Sequence, residues 1–176
     1  MERFYAKGFT YGWCGERGDY KSEEAFDSLK KLKETGTEWA CISFFTWQDT
    51  FCSTNIYFDY NFTVTDKEIE IAIKRAHDLG MKVCLKPVVN CKDGTWRAEI
   101  GFPNLTGHVI GTKETYWDMW FKSYSGFIKH YAEIAEECGC EMFCTGCEMN
   151  TADTKEKHFR KLISEVREIY SGLIMH

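Results

Sequence analysis

The chain has 176 residues, of which 44% are apolar and 28% charged, and its 22 basic and 27 acidic residues leave a net charge of -5. This length and composition predict one globular domain with a substantial core, and the aromatic content of 16% excludes a disordered chain. No basic stripe could follow a phosphate backbone and no apolar run approaches the length of a membrane span, so we expect neither nucleic acid nor a membrane as a partner.

Short strands and amphipathic helices are predicted to alternate along the chain. The strands, β1 to β5, are predicted at residues 9–11, 39–45, 81–87, 141–145 and 173–176, and the helices between them, α1 to α4, at residues 22–36, 65–80, 116–138 and 154–172. The pattern is clearest in α2, where Thr65 and Glu68 form a capping box and Gly80 ends the helix. Nothing marks a linker, so residues 1–176 are predicted to be one domain.

This alternation predicts a parallel sheet covered by helices, and two architectures fit it: an open doubly wound sheet and a (β/α)8 barrel. The doubly wound fold usually has a glycine-rich phosphate turn after its first strand. Here the run from Gly12 to Gly18 has the wrong glycine spacing, and Trp13 stands where the backbone must approach a phosphate. At roughly 40 residues per unit a full barrel needs about 300 residues. The prediction is therefore the N-terminal half of a TIM (β/α)8 barrel, from β1-α1 to α4 with the start of β5.

The nine cysteines admit three interpretations: disulfides, metal ligands or reduced thiols. The N-terminus has no apolar signal core, so we expect a cytoplasmic protein without disulfides. Cys138, Cys140, Cys144 and Cys147 could hold a structural zinc ion, but the segment from Cys140 to Cys144 alternates like a strand and no second pair follows a loop. Buried reduced thiols are the preferred interpretation, and no metal or other cofactor is expected.

In either architecture, sites gather at the carboxyl ends of the strands and in the loops that follow them. Those positions hold tryptophans, amides and carboxylates: Trp13, Glu16 and Asp19 after β1; Trp47, Gln48 and Asp49 after β2; Lys86, Asn90, Asp93 and Trp96 on or after β3; and Cys147, Glu148 and Asn150 after β4. Flat aromatic rings with hydrogen-bonding groups between them suit pyranose rings, so an oligo- or polysaccharide is the expected ligand. Trp39, Trp117 and Trp120 are instead expected to be packing residues.

Glu148 is the principal candidate for catalysis. The run Thr145-Gly146-Cys147-Glu148-Met149-Asn150 places a carboxyl group just beyond a buried strand, where desolvation would raise its pKa toward that of a general acid. A solvated surface glutamate is the alternative at this position.

Three runs resemble glycoside hydrolases of clan A, and most closely family 113, the β-mannanase-type (β/α)8 barrels. They are Gly8-Phe9-Thr10-Tyr11-Gly12-Trp13, Leu85-Lys86-Pro87 and Gly146-Cys147-Glu148-Met149-Asn150. The resemblance implies that Glu148 is the acid/base of a retaining glycosidase, and that Lys86, Asn90, Cys147 and the loop tryptophans Trp13, Trp47 and Trp96 line the sugar subsite with Asn150 nearby. Most of the clan has Asn where this chain has Cys147.

A retaining mechanism also needs a nucleophilic carboxylate about 5 to 5.5 Å from the acid/base. The resemblance places that carboxylate on a seventh strand, and none of Glu16, Asp19, Asp49 and Asp93 matches it. We therefore expect the acid/base half of a mannanase-type site that is inactive alone and pairs with a second copy or with the missing C-terminal half. The alternatives are a non-catalytic carbohydrate-binding half barrel, a zinc-stabilised structural protein and a phosphate-handling TIM-type enzyme.

Overall fold

The computed structural model describes residues 5–176, with the side chains of Trp13 and Cys14 outside the described part. The strands are β1 Gly8–Gly15, β2 Trp39–Gln48, β3 Lys82–Cys91, β4 Met142–Cys144 and β5 Leu173–Met175. The helices are α1 Glu23–Glu34, α2 Asp66–Asp78, α3 Tyr116–Glu137 and α4 Glu156–Arg167, with a one-turn helix at Asn150–Asp153 and 3-10 turns at Asp19–Lys21 and Arg97–Glu99.

The strands form a single parallel sheet in the order β1-β2-β3-β4-β5. A doubly wound sheet reverses its strand order at a switch point, whereas a barrel adds each strand beside the last. The sequential order is that of a barrel, and the predicted half barrel is confirmed. The strands at the two ends of the sheet, β1 and β5, each pair on one side only among the described residues.

Local sequence signals account for the helix boundaries. The Ser22 hydroxyl accepts the Ala25 N–H at 3.0 Å to cap α1, and Thr65 and Glu68 form the predicted capping box of α2. A second box, Thr115 with Asp118, begins α3. The one-turn helix at Asn150–Asp153 was not predicted, because it has four residues and no side-chain cap.

The core lies between the sheet and its helices. On β2 the alternate residues Ala40, Ile42 and Phe44 are fully buried against the helices, where Trp120 and Leu162 are also fully buried. Trp120 therefore packs as predicted, and its indole N–H donates to Gln48 Oε1 at 2.9 Å. Within the described residues no helix is long and apolar enough to cross a bilayer.

The opposite face of the sheet is the inner face of the half barrel. Trp39, Cys84, Met142 and Cys144 form a small cluster there, with Cys41 packed against it. These cysteines are free thiols, as are the other cysteines of the described part, and Cys91 and Cys140 are buried as well. In the same part of the chain, no three metal-ligating side chains are grouped so that they could hold an ion.

Candidate functional site

Several of the predicted loop residues lie inside strands. Trp47 and Asn90 are register partners near the carboxyl ends of β2 and β3, and so share the inner face of the sheet. Their predicted placement in loops was wrong, because β2 continues to Gln48 and β3 to Cys91. The sequence did not indicate that β2 continues past residue 45, because Thr46 and Gln48 are polar. Both side chains are nevertheless buried. Each forms a hydrogen bond with a residue elsewhere in the chain, and this bond offsets the cost of burying a polar group.

Glu148 lies in the loop that joins β4 to the one-turn helix, and its backbone is left-handed, with φ of 55°. A left-handed residue that is not glycine costs about 1–3 kcal/mol and persists only where its surroundings hold it. The next residue, Met149, is buried, and its carbonyl accepts the Asp153 N–H at 2.8 Å. The one-turn helix therefore anchors the loop on the side that follows Glu148.

The Glu148 side chain is held by two consecutive residues of the loop after β3. The Trp96 indole N–H donates to Glu148 Oε2 at 2.9 Å, and Arg97 Nη1 donates to the same oxygen at 2.6 Å. The side chain of Arg97 is only 6% exposed, whereas that of Glu148 is 46% exposed. Arg97 also lies over the ring of Phe45 on the inner face of β2, 5.7 Å from its centre.

A second contact joins the same two loops. The Thr151 hydroxyl donates to the Ala98 carbonyl at 2.8 Å. The 3-10 turn that carries Arg97 and the one-turn helix that follows Glu148 are thus fastened together, and the carboxylate is held between them.

The electrostatics of Glu148 differ from the expectation. Hydrogen bonds from Trp96 and Arg97 hold the pKa of the carboxyl below its usual value, and the charges of Arg97 and Lys86 lower it further. Desolvation acts in the opposite direction but is outweighed. The predicted upward shift of this pKa was wrong for this chain, because the side chain is half exposed and two donors stabilise its charged form.

Lys86 and Cys147 lie next to each other beneath this loop. Lys86 is the register partner of Ser43 on β2, which places both on the inner face. Burial lowers the pKa of the Lys86 ammonium, but the sulfurs of Cys147 and Cys41 outweigh this, and the pKa is raised. Lys86 is therefore a cation at neutral pH, and its charge acts on the Glu148 carboxyl group.

Three predicted sugar-binding residues remain, and they differ in how they lie relative to Glu148. Trp96 is 52% exposed and contacts Glu148, whereas Asn150 is exposed at the start of the one-turn helix. The backbone of Trp13 belongs to β1, but its side chain lies outside the described residues. Its predicted role in binding sugar stays a prediction.

Three of the other predicted loop carboxylates make structural hydrogen bonds. Asp19 accepts the Glu16 N–H at 2.8 Å, and Asp49 accepts the Tyr57 hydroxyl at 2.5 Å. Asp93 accepts the N–H groups of Phe51 and Thr95, joining the loops after β2 and β3. These three carboxylates therefore stabilise the conformations of the loops that carry them.

Arg97 is the residue that sequence reasoning missed. Its partner Glu148 is 51 positions away, so no local spacing reveals the pair. The available signal was general: a buried arginine needs an acceptor, and a candidate catalytic carboxylate is a suitable one.

Comparison with known proteins identifies relatives over almost the whole chain. The profile described as Glycoside Hydrolase Family 113 matches residues 9–176. A search of the curated proteins finds no match.

Several solved structures are similar to this one. Two are GH113 β-1,4-mannanases, one of them in a complex; they are 44% and 45% identical to this chain and superpose with a TM-score of 0.89. Another is the GH113 β-mannanase AaManA from Alicyclobacillus acidocaldarius in complex with ManMIm, which is 41% identical with a TM-score of 0.88. They cover 96–97% of this chain, whereas it covers 53–54% of theirs. The chain thus spans about half the length of the solved structures that it matches.

Proposed function

The chain belongs to glycoside hydrolase family 113, and on that premise we propose that it carries the acid/base half of a retaining endo-β-1,4-mannanase site, with Glu148 as the acid/base. The observation that carries the proposal is the seating of Glu148 at the carboxyl edge of the sheet, in a strained left-handed conformation held by Trp96 and Arg97. Costly backbone conformations that a surrounding network maintains cluster at active sites.

The two oxygens of Glu148 have different roles in this proposal. Oε2 accepts both N–H donors, whereas Oε1 has no hydrogen-bond partner among the described residues. A proton taken up by the carboxylate therefore resides on Oε1. From there it would pass to the glycosidic oxygen as the bond to the anomeric carbon breaks, and Oε1 would later take a proton from the attacking water.

The lowered pKa of Glu148 supports inactivity of these 176 residues alone. A general acid must hold its proton near neutral pH, and like-charge repulsion from a second carboxylate raises a pKa strongly. The nucleophile of a retaining enzyme lies about 5 to 5.5 Å from the acid/base, close enough to do this. In this proposal the nucleophile supplies both the covalent step and the upward shift that Glu148 needs.

The sugar would lie against the inner-face residues around Glu148. Trp47 and Asn90 offer an aromatic ring and an amide side by side, and the half-exposed Trp96 ring flanks the carboxylate. Lys86 and Cys147 lie beneath, where they would donate to hydroxyl groups of the sugar being cleaved. Asn150 borders the same loop. A β-linked polysaccharide of the mannan type is the proposed substrate.

The inner face also supports a second half as the partner. Trp47 Nε1 and Ser43 Oγ are buried without a hydrogen-bond partner among the described residues, and buried polar atoms are normally paired. An opposite barrel wall, from a C-terminal half or from a second copy, would supply such partners and pair the edges of β1 and β5. Size-exclusion chromatography with light scattering measures the mass of the purified chain in solution and so tests for the second copy.

A cytoplasmic location stays a prediction, which cell fractionation tests.

The experiment for the mannanase proposal is release of reducing ends from β-mannan. The chain alone is compared with a chimera in which it is continued by the unmatched residues of a solved GH113 mannanase. We expect release from the chimera only. Release by the chain alone that Glu148→Gln abolishes would show that these residues are sufficient for turnover.

A non-catalytic carbohydrate-binding half barrel is the second candidate, and one observation favours it: the ion pair with Arg97 keeps Glu148 charged in this chain. Mannan binding that survives Glu148→Ala but is lost in Trp47→Ala or Trp13→Ala, with no turnover by the chimera, would select this function over the enzyme.

A further inference from the structure

A cavity of about 800 Å³ lies between α2 and α3, on the helix side of the sheet. We call it the α2–α3 pocket. Its floor is formed by Thr46, Phe127 and Tyr131, and its wall by Tyr57, Phe58 and Tyr60 from the loop after β2. This volume lies within the range typical of small-molecule sites. The inner-face site around Glu148 lies on the other face of the sheet.

The pocket is not a gap left by an unpaired edge of the half barrel. Its floor rests on β2, which pairs with β1 on one side and with β3 on the other, and β3 pairs in turn with β4. Both helices that border the pocket therefore pack over interior strands of the sheet. Closing the barrel beyond β5 would leave the pocket unchanged.

The wall of the pocket is held in place without a ligand. The backbones of Trp47 and Tyr57 exchange two hydrogen bonds, of 3.2 and 2.8 Å, and the Thr46 hydroxyl donates to the Tyr57 carbonyl at 2.8 Å. Ser123 on α3 accepts the Ile56 N–H at 2.9 Å. A preformed wall lowers the ordering cost of binding.

Aromatic surface is available above this wall. Tyr60 is 79% exposed and Phe58 37% exposed, and their rings meet edge to face with centres 5.4 Å apart. The Arg17 guanidinium lies over both rings, 5.1 Å from the centre of Phe58 and 5.7 Å from that of Tyr60. Cation–π contacts of this kind hold exposed rings in a fixed orientation.

The lysine and histidine side chains that line the pocket each lie near a carboxylate, and the Arg17 guanidinium lies over the rings of the wall. His130 Nε2 lies 3.0 Å from Asp66 Oδ2. Lys67 is 2.7 Å from Glu70, and Lys122 is 3.9 Å from Glu114. The lining itself is formed mainly by aromatic, aliphatic and hydroxyl-bearing side chains. A neutral ligand with hydroxyl groups and an apolar face fits this lining best.

We propose that the α2–α3 pocket is a second saccharide-binding site, which takes a β-1,4-linked manno-oligosaccharide segment away from the Glu148 site. The identity of the sugar rests on the proposed function. A polymer chain bound at the pocket is held near the protein, so that encounter with the Glu148 site becomes effectively intramolecular.

The test is a nuclear magnetic resonance titration of the 176-residue chain with mannohexaose. We expect saturable shifts of amides in α3 around Gly126 and in the loop around Tyr57 and Tyr60. Tyr60→Ala removes one stacking ring and is expected to weaken this binding about 3- to 10-fold. Tyr5→Ala is the matched control, because Tyr5 is also 79% exposed and does not line the pocket, and it should leave the affinity unchanged.

A second variant fills the pocket without removing a contact. Gly126 lines the pocket on α3, and a side chain added there meets nothing within 4 Å. Gly126→Leu is therefore expected to keep α3 intact, since leucine favours helix more than glycine does, and to abolish the pocket shifts. Unchanged mannohexaose affinity in both Tyr60→Ala and Gly126→Leu overturns the proposal, and so do equal shifts of the same amides with inorganic phosphate.

The outcome separates this proposal from the proposed function. If the chimera hydrolyses mannan but mannohexaose shifts no amide of the pocket in the 176-residue chain, the second site is wrong and the enzyme assignment stands. If the pocket shifts are present but the chimera is inactive on mannan, the enzyme assignment fails and the second site stands.

Discussion

Replacing Glu148 by glutamine and Arg97 by methionine, singly and together, tests whether these residues form the network that holds the proposed acid/base in place. Charge-assisted hydrogen bonds in buried surroundings contribute about 1.5–3 kcal/mol, and fully exposed pairs about 0.2–1 kcal/mol. The Arg97 side chain is 6% exposed but that of Glu148 is 46% exposed, so the pair is screened on one side. We therefore expect a coupling free energy of about 1 kcal/mol.

The assay is urea unfolding of the four proteins at pH 7, followed by circular dichroism. Glu148→Gln alone is expected to cost about 1–2 kcal/mol, because it replaces the charged acceptor of the Arg97 guanidinium by a neutral amide. In thermal unfolding each kcal/mol corresponds to about 2–4 °C for a domain of this size. The matched control is the pair Arg160 and Glu156, which is 2.7 Å apart but 78% and 72% exposed and should couple by about 0.5 kcal/mol or less.

The pH dependence of this coupling gives a second readout. The pKa of folded Glu148 is lowered from its ordinary value of 4.5, so the ion pair stabilises the protein fully above that value. This contribution is lost as the pH falls through the lower, folded value. A coupling that is zero at pH 7, or equally large at pH 7 and at acid pH, would refute the network.

Other predictions concern the scaffold that positions the site, and urea unfolding measures each of them. Gly12→Ala should destabilise by about 2–4 kcal/mol, because φ is +79° there and an added Cβ would lie 1.9 Å from the Tyr20 hydroxyl oxygen; an unchanged midpoint contradicts this. Trp120→Phe should cost about 1–3 kcal/mol, since it leaves buried Gln48 Oε1 without its donor, and a near-neutral effect would show that this acceptor is otherwise satisfied. Asp118→Asn should cost about 1 kcal/mol at pH 7 by weakening the α3 capping box. The Thr115 hydroxyl and His158 lower the pKa of Asp118 from 3.8 to about 2, so the difference should vanish as the pH falls through that range, and a constant difference would argue against the cap.

Much of the fold was predictable because its signals are local. A capping box at Thr65, glycines that end helices and apolar stripes of helical period fixed the order of strands and helices, and spacing then favoured a barrel over a doubly wound sheet. The strand ends were not predictable. Thr46 and Gln48 are polar yet buried, and their partners lie 11 and 72 positions away.

The candidate site illustrates which contacts a sequence does not reveal. The motif around Glu148 and its position after a buried strand made this carboxylate the candidate for catalysis. The Trp96 and Arg97 donors that determine its charge belong to another loop, so a local argument from desolvation gave the wrong direction for its pKa. Only the assembled sheet brings the loops after β3 and β4 together.

The role of Glu148 as acid/base is tested most directly by chemical rescue in the chimera. Glu148→Ala should lower the rate on β-mannan about 10²- to 10⁴-fold, the usual contribution of general acid–base catalysis. With a nitro-substituted phenyl β-mannobioside, whose stabilised phenolate leaves without a proton, added azide should restore turnover. The azide attacks the anomeric carbon of the covalent glycosyl–enzyme, releases the carboxylate and gives a β-glycosyl azide. Wild-type rates on mannan in Glu148→Ala, or no rescue and no β-glycosyl azide, would contradict this assignment.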